Sequence, residues 1–122
     1  CLYGDGAFGM TAFDMETAQR FGAPYLAVIG NNSAMNQIRY GQLAKYGEER
    51  GDIGNKLGDV PFSKFGEMIG GYGEEVTEAS QIQPAMQRAR EAIAKTGKCA
   101  VVNVWVDPNE YAPGTKAQTM YK

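Results

Sequence analysis

The sequence predicts an α/β fold built on a doubly wound parallel sheet, and three observations carry that prediction. Apolar runs at Tyr25-Leu26-Ala27-Val28-Ile29 and over residues 99–106 have the length and continuity of strands buried on both faces. Between them lie segments whose apolar residues recur at helical spacing. The connections are short, and the opening order of strand, helix, strand belongs to folds whose ligands bind beyond the carboxyl ends of the strands.

Taken in order, Cys1-Leu2-Tyr3 reads as the end of a strand that runs directly into a glycine turn at Gly4-Asp5-Gly6. Residues 11–21 then form a helix of about three turns, with Ala12, Phe13, Met15, Ala18 and Phe21 mostly to one side. Thr11 and Asp14 resemble its capping box, and Gly22 and Pro24 stop it. After the strand at 25–29, residues 33–46 read as a helix and residues 47–59 as a polar, glycine-rich, mobile surface loop. Asp59 can cap a further helix that has Pro61 in its first turn, Phe62, Phe65, Met68 and Ile69 on its apolar side, and Gly70-Gly71 at its end. Ser80 can cap the next, whose stripe of Ile82, Ala85, Met86, Ala89 and Ile93 runs to Gly97, with Pro84 in the first turn. The strand at 99–106 follows, and residues 108–122 form a polar tail. Residues 1–107 are therefore expected to form one domain, and the abrupt start on a strand reads as a piece of a longer protein.

Composition narrows the chemistry. With 122 residues, 43% of them hydrophobic and 21% charged, the chain has the balance of a soluble globular domain. A net charge of −2 gives no basic face for nucleic acid. No run approaches the length of a membrane span and no signal sequence is visible, so the expected setting is cytoplasmic. Cys1 and Cys99 suit buried reduced thiols better than a disulfide or a zinc site. There is no histidine, which excludes Ser-His-Asp triads and His-ligated metals from this segment. Any metal here must be held by oxygen.

Gly4, Gly6 and Gly9, after a strand and before a helix, match the spacing of a dinucleotide loop, so the glycines by themselves indicate only a phosphate-holding turn. Asp5 changes the reading. A carboxylate beside a diphosphate repels it unless a cation lies between them, and Asn32, after the next strand, adds a neutral amide oxygen suited to a hard cation. A dinucleotide site would instead want an acidic residue at the end of that second strand, which here ends in Gly30-Asn31-Asn32. Asn31 itself reads as a structural residue that bonds the loop or caps the next helix.

Gly4-Asp5-Gly6 followed by the pair Asn31-Asn32, with 27 residues from Asp5 to Asn32, resembles the signature of thiamine-diphosphate-dependent enzymes. The resemblance implies that Asp5 and Asn32 ligate Mg²⁺ through their side chains and Ala34 through its carbonyl. It also implies that backbone around Gly6 and Ala7 meets the diphosphate, and that Gly4 makes the tight turn. Met10-Thr11, Glu16-Thr17 and Arg20 are similar to the helix of acetohydroxyacid-synthase-like members, and the likeness covers nearly the whole chain. Met35-Asn36 departs from the aromatic-glycine pair more usual there, and the ending from Tyr111 to Lys122 looks most like bacterial 2-hydroxyacyl-CoA lyases.

The implied activity is cleavage or formation of a carbon–carbon bond next to a carbonyl, with the cofactor supplying the nucleophile and electron sink. For a lyase this splits a 2-hydroxyacyl-CoA thioester into an aldehyde or ketone and formyl-CoA, reversibly. An acetolactate synthase would join two 2-oxoacids, and a non-catalytic dinucleotide-binding module or a catalytically dead remnant would do neither. The resemblance further implies a homodimer or homotetramer, and an activating glutamate from another domain, so this segment alone is expected to be inactive. Arg39 and Lys45 read as a solvated helix face rather than substrate contacts, and the tail, with Lys116 and Lys122, could form a lid over the site.

Overall fold

A computed structural model describes residues 1–110 of the chain; the tail and any lid built from residues 111–122 lie outside the described residues. Four strands, β1 (Leu2–Gly4), β2 (Leu26–Asn31), β3 (Tyr72–Val76) and β4 (Ala100–Trp105), form one sheet in the order β1-β2-β4-β3. All three pairings are parallel, with Gly4 opposite Gly30, Ile29 opposite Asn103, and Asn103 opposite Glu75. The helices are α1 (Asp5–Thr11), α2 (Asp14–Arg20), α3 (Asn36–Tyr46), α4 (Glu48–Gly51), α5 (Ser63–Met68) and α6 (Ala79–Thr96).

The helices cover both faces of the sheet, as a doubly wound fold requires. On one face Ala100, Val102, Val104 and Val76 pack against Ala85 and Ala89 of α6, with Leu26, Val28, Ile82 and Ile93 closing the edges. On the other, Ala27, Ile29, Cys99 and Val101 pack with Phe8 of α1 and Met15 of α2, and with Phe62 and Phe65 near α5. Alternation along β2 and β4 sends successive side chains into the two cores. Cys99 is buried and unpaired as expected, whereas Cys1 is exposed.

Several expectations need correction. The glycine turn is itself helical: α1 starts at Asp5, directly after β1, and the expected helix at 11–21 is broken at Ala12 and Phe13 into α1 and α2. Thr11 therefore ends a helix, donating its hydroxyl to the Ala7 carbonyl at 3.3 Å, rather than capping one. At α6, Gln81 accepts from the Glu78 and Thr77 N–H groups, both at 3.2 Å, so Glu78 occupies the cap position and Ser80 lies inside the helix. Pro84 consequently falls beyond the first turn, where its missing N–H forgoes a helical bond. Asp59 caps no helix; it accepts the Ser33 hydroxyl at 2.6 Å, and α5 starts only at Ser63.

The sequence reading missed β3. Tyr72-Gly73-Glu74-Glu75-Val76 has no apolar run, because it is an edge strand whose glutamates find polar partners. Glu74 pairs with Arg88 of α6, which holds its carboxyl below the usual carboxylate range. Gly73 lets α5 lie directly on the strand, since a Cβ there would stand 2.0 Å from the Ser63 carbonyl oxygen.

Candidate functional site

The carboxyl ends of β1 and β2 open into a cleft of about 350 Å³ whose floor and walls include Gly4, Asp5, Gly30, Asn32, Ala34 and Met35. Local structure fixes Asp5 there. Phe8, three residues on, is buried and meets Tyr3, Phe62 and Phe65 edge to face at 5.4 to 5.7 Å, which seats α1 on the sheet and its first residue at the strand end.

Asp5 is only 3% exposed. Its Oδ1 accepts the Gly6 N–H at 2.8 Å and its Oδ2 the Ala34 N–H at 3.0 Å, so the carboxylate joins the start of α1 to the loop after β2. Among the described residues no cationic side chain forms an ion pair with it. A carboxylate has about four lone-pair sites, so two backbone donors leave it acceptor capacity.

Asn32 and Ala34 sit opposite, at the end of β2. The Asn32 Oδ1 is buried and has no hydrogen-bond partner among the described residues. Such an orphan oxygen costs roughly 1–3 kcal/mol unless something outside the chain satisfies it. Ala34 faces Lys56 in an antiparallel bridge held by Met35 N–H to Asn55 carbonyl (2.8 Å) and Leu57 N–H to Ser33 carbonyl (2.7 Å). The Ala34 carbonyl takes no part in those bonds.

The glycines divide into two kinds. Gly4 has φ −83° and ψ 157°, extended backbone open to any residue, so it makes no tight turn, contrary to expectation. Gly4 lines the cleft, and a Cβ there would meet no atom beyond its chain neighbours within 4 Å among the described residues. The fold leaves this space open, as a cradle for a ligand would need. Gly6 is required by packing, because a Cβ would stand 2.8 Å from Met35 Cγ.

Residues 47–59, expected to be a mobile surface loop, lie mostly at the surface as expected, but they contain α4 and are bonded to the site. Asp52 bridges Arg39 of α3 (2.5 Å) and Lys56 (2.6 Å). The bond to Arg39, then that to Lys56, holds its carboxyl below the ordinary value. Arg39 is thus engaged within the fold. Past β4, the Pro108 carbonyl accepts from the Asn36 amide at 2.7 Å and from the Tyr40 hydroxyl, laying the chain across α3.

Asn31 belongs to the fold rather than to the cleft: its Nδ2 donates to the Val60 carbonyl at 2.8 Å and its Oδ1 accepts the Ser33 N–H at 3.1 Å. The structure therefore gathers Gly4, Asp5, Gly6, Ala7, Asn32 and Ala34 around one cleft. Sequence reading missed Asn103, Glu75 and Trp105, which lie behind it and signal themselves only as polar residues in or beside strands. Among the described residues no three His, Cys, Asp or Glu side chains cluster as a metal site. A cation in the cleft would depend on the mixed set of one carboxylate, one amide oxygen and a backbone carbonyl, which suits a hard ion that keeps water and phosphate oxygens.

Residues 1–104 match the family described as thiamine pyrophosphate enzyme, C-terminal TPP binding domain. The chain belongs to that family. An acetolactate synthase large subunit of Mycobacterium tuberculosis is 31% identical over 112 residues, covering 92% of this chain and 19% of that protein. A putative thiamine pyrophosphate-containing protein of Bacillus subtilis is 32% identical over 111 residues, 91% of this chain and 18% of its own length. The mouse 2-hydroxyacyl-CoA lyase 2 is 26% identical over 116 residues, 94% and 18% respectively. This thiamine-diphosphate-binding domain thus spans about a fifth of the length of the curated relatives it matches. No helix among its described residues is long and apolar enough to cross a membrane.

Proposed function

We propose that the domain holds the diphosphate of thiamine diphosphate through Mg²⁺, with Asp5 and Asn32 as side-chain ligands and Ala34 as a carbonyl ligand. The observation that carries this is the buried, unpartnered Asn32 Oδ1 at the strand end next to buried Asp5. The open space over Gly4 supports it, as does the Ala34 carbonyl lying outside the neighbouring bridge. Backbone around Gly6 and Ala7 then faces the phosphates: the Gly6 N–H is held by Asp5, and the Ala7 N–H is a first-turn donor of the kind a helix leaves for an outside acceptor. When bound, the cofactor supplies the carbanion chemistry, while the domain binds and orients it.

The domain serves a longer enzyme, a carbon–carbon lyase that splits 2-hydroxyacyl-CoA thioesters into an aldehyde or ketone and formyl-CoA. That enzyme is a cytoplasmic homodimer or homotetramer, with the activating glutamate supplied from outside this segment. The likeness to 2-hydroxyacyl-CoA lyase 2 and the Met35-Asn36 departure from the synthase pattern support the lyase reading. Higher identity to acetolactate synthase favours a second reading, a synthase-like transferase.

Offering the complete protein, with thiamine diphosphate and Mg²⁺, either a 2-hydroxyacyl-CoA or pyruvate separates the two. Formyl-CoA release is expected. Acetolactate from pyruvate without thioester cleavage would replace the lyase by the synthase.

A further inference from the structure

Behind the cleft, side chains from three neighbouring strands form a continuous hydrogen-bonded chain on one face of the sheet. Glu75 on β3 lies opposite Asn103 on β4, and Asn31 ends β2, two residues past the position opposite Asn103. Asn103 Nδ2 donates to Glu75 Oε2 at 2.7 Å, and Asn31 Nδ2 donates to Asn103 Oδ1 at 3.1 Å. Asn103 and Asn31 are 0% and 1% exposed. Glu75 is itself fixed by the Trp105 indole N–H on Oε2 at 2.6 Å and the Ser63 N–H on Oε1 at 3.2 Å.

The chain has a direction, and Glu75 sets it. An ionised carboxylate only accepts, so Asn103 must turn its amino group to Glu75 and its carbonyl oxygen to Asn31. Asn31 must answer with its own amino group, which leaves its carbonyl oxygen for the Ser33 N–H. Ser33 is the non-glycine residue with positive φ among the described residues, at 55°. That conformation is disfavoured for a side-chain-bearing residue and persists only where the surroundings hold it. Ser33 is held at its N–H by Asn31, at its hydroxyl by Asp59 and at its carbonyl by Leu57. It separates Asn32 from Ala34.

We propose that Glu75 is a positioning residue for the metal loop, acting through Asn103 and Asn31 to hold Ser33 left-handed and so to aim the Asn32 oxygen and the Ala34 carbonyl into the cleft. This rests on the metal-held diphosphate reading above. The hydrogen-bond partners of Glu75, which are Asn103, Trp105 and Ser63, do not line the cleft, and its influence passes through the amide orientations.

Glu75→Leu tests it, because it removes both acceptor oxygens on which the Asn103, Trp105 and Ser63 donors converge. Asn103→Leu breaks the relay with the same number of side-chain heavy atoms while leaving Glu75 its Trp105 and Ser63 donors, and it carries the test if the first variant fails to fold. Val102→Ala, in the core on the opposite face, is the control for lost stability. Mg²⁺-dependent thiamine diphosphate affinity and cofactor-free melting temperature are measured on the complete protein for each. The expected result is affinity lower by about tenfold or more in Glu75→Leu and Asn103→Leu, the range for residues that orient metal ligands. Val102→Ala should lose stability with unchanged affinity. Relay variants that bind within about twofold of wild type overturn the positioning role while leaving the site reading intact. Failure of the wild type to bind thiamine diphosphate with Mg²⁺ overturns the site reading itself, and the positioning role with it.

Discussion

The two faces of the sheet are built from alternate residues of the same strands, yet they differ in kind toward the carboxyl ends. Beneath α6, β4 contributes Ala100, Val102 and Val104, an aliphatic surface from end to end. On the other face Cys99 and Val101 give way to Asn103 and Trp105, with Asn31 and Glu75 alongside. Apart from the Glu74–Arg88 pair at its edge, the first face only has to exclude water. The second must also hold two loops at a fixed separation, and directional bonds do this where non-directional apolar packing cannot.

The sharpest way to break the contrast is to make the dry face polar. Val102→Asn puts an amide among Val76, Ala85 and Ala89, where its cross-strand neighbour Glu74 is already engaged by Arg88 and Tyr72, and is expected to cost about 3–5 kcal/mol from lost packing and a poorly satisfied polar group. Urea denaturation of the complete protein measures it. The converse change, Asn103→Leu, should cost less, about 1–3 kcal/mol, because Glu75 and Asn31 each keep other partners. Equal losses from the two would show that the faces do not differ in the way described.

A smaller effect comes from acid. Asp52 titrates below its ordinary value in the folded chain, because Arg39 and then Lys56 favour its charged form. The folded state therefore binds this proton less readily than the unfolded one. Its contribution is fully present above the unfolded value near 3.8 and is lost as pH falls through the lower folded value. Protection of the backbone N–H groups of Met35 and Leu57 against hydrogen exchange should weaken over that acid range in the wild type, and Asp52→Asn should remove the dependence.

Legibility in the sequence followed the same division. The central strands and the stripe of α6 announce themselves because burial on both faces, or on one helical side, demands continuous or periodic apolar residues. Asp5, Asn31 and Asn32 were visible because a carboxylate beside glycines and a pair of amides at a strand end have no place in an ordinary core. The edge strand β3 was not, since Glu74 and Glu75 look like loop residues until Arg88, Asn103 and Trp105 are seen to meet them. The boundary between α1 and α2 and the start of α5 at Ser63 were missed because they go with the packing of Phe8 and Phe62, whereas the cap at Glu78 is local, made by Gln81, and was missed because Ser80 is the more usual cap residue. The tie between residues 33 and 57 was hidden for a similar reason: a glycine-rich stretch gives no hint of which backbone it will bond.

The central claim is that Asp5 and Asn32 hold a diphosphate through a divalent ion, and calorimetric titration of the complete protein with thiamine diphosphate, with and without Mg²⁺, tests it most directly. Binding should require the metal and should weaken by at least about a hundredfold in Asp5→Ala, a loss of roughly 2.7 kcal/mol. Thiamine diphosphate binding of equal affinity in the absence of Mg²⁺, or metal-independent binding of NAD at the same cleft, would contradict it.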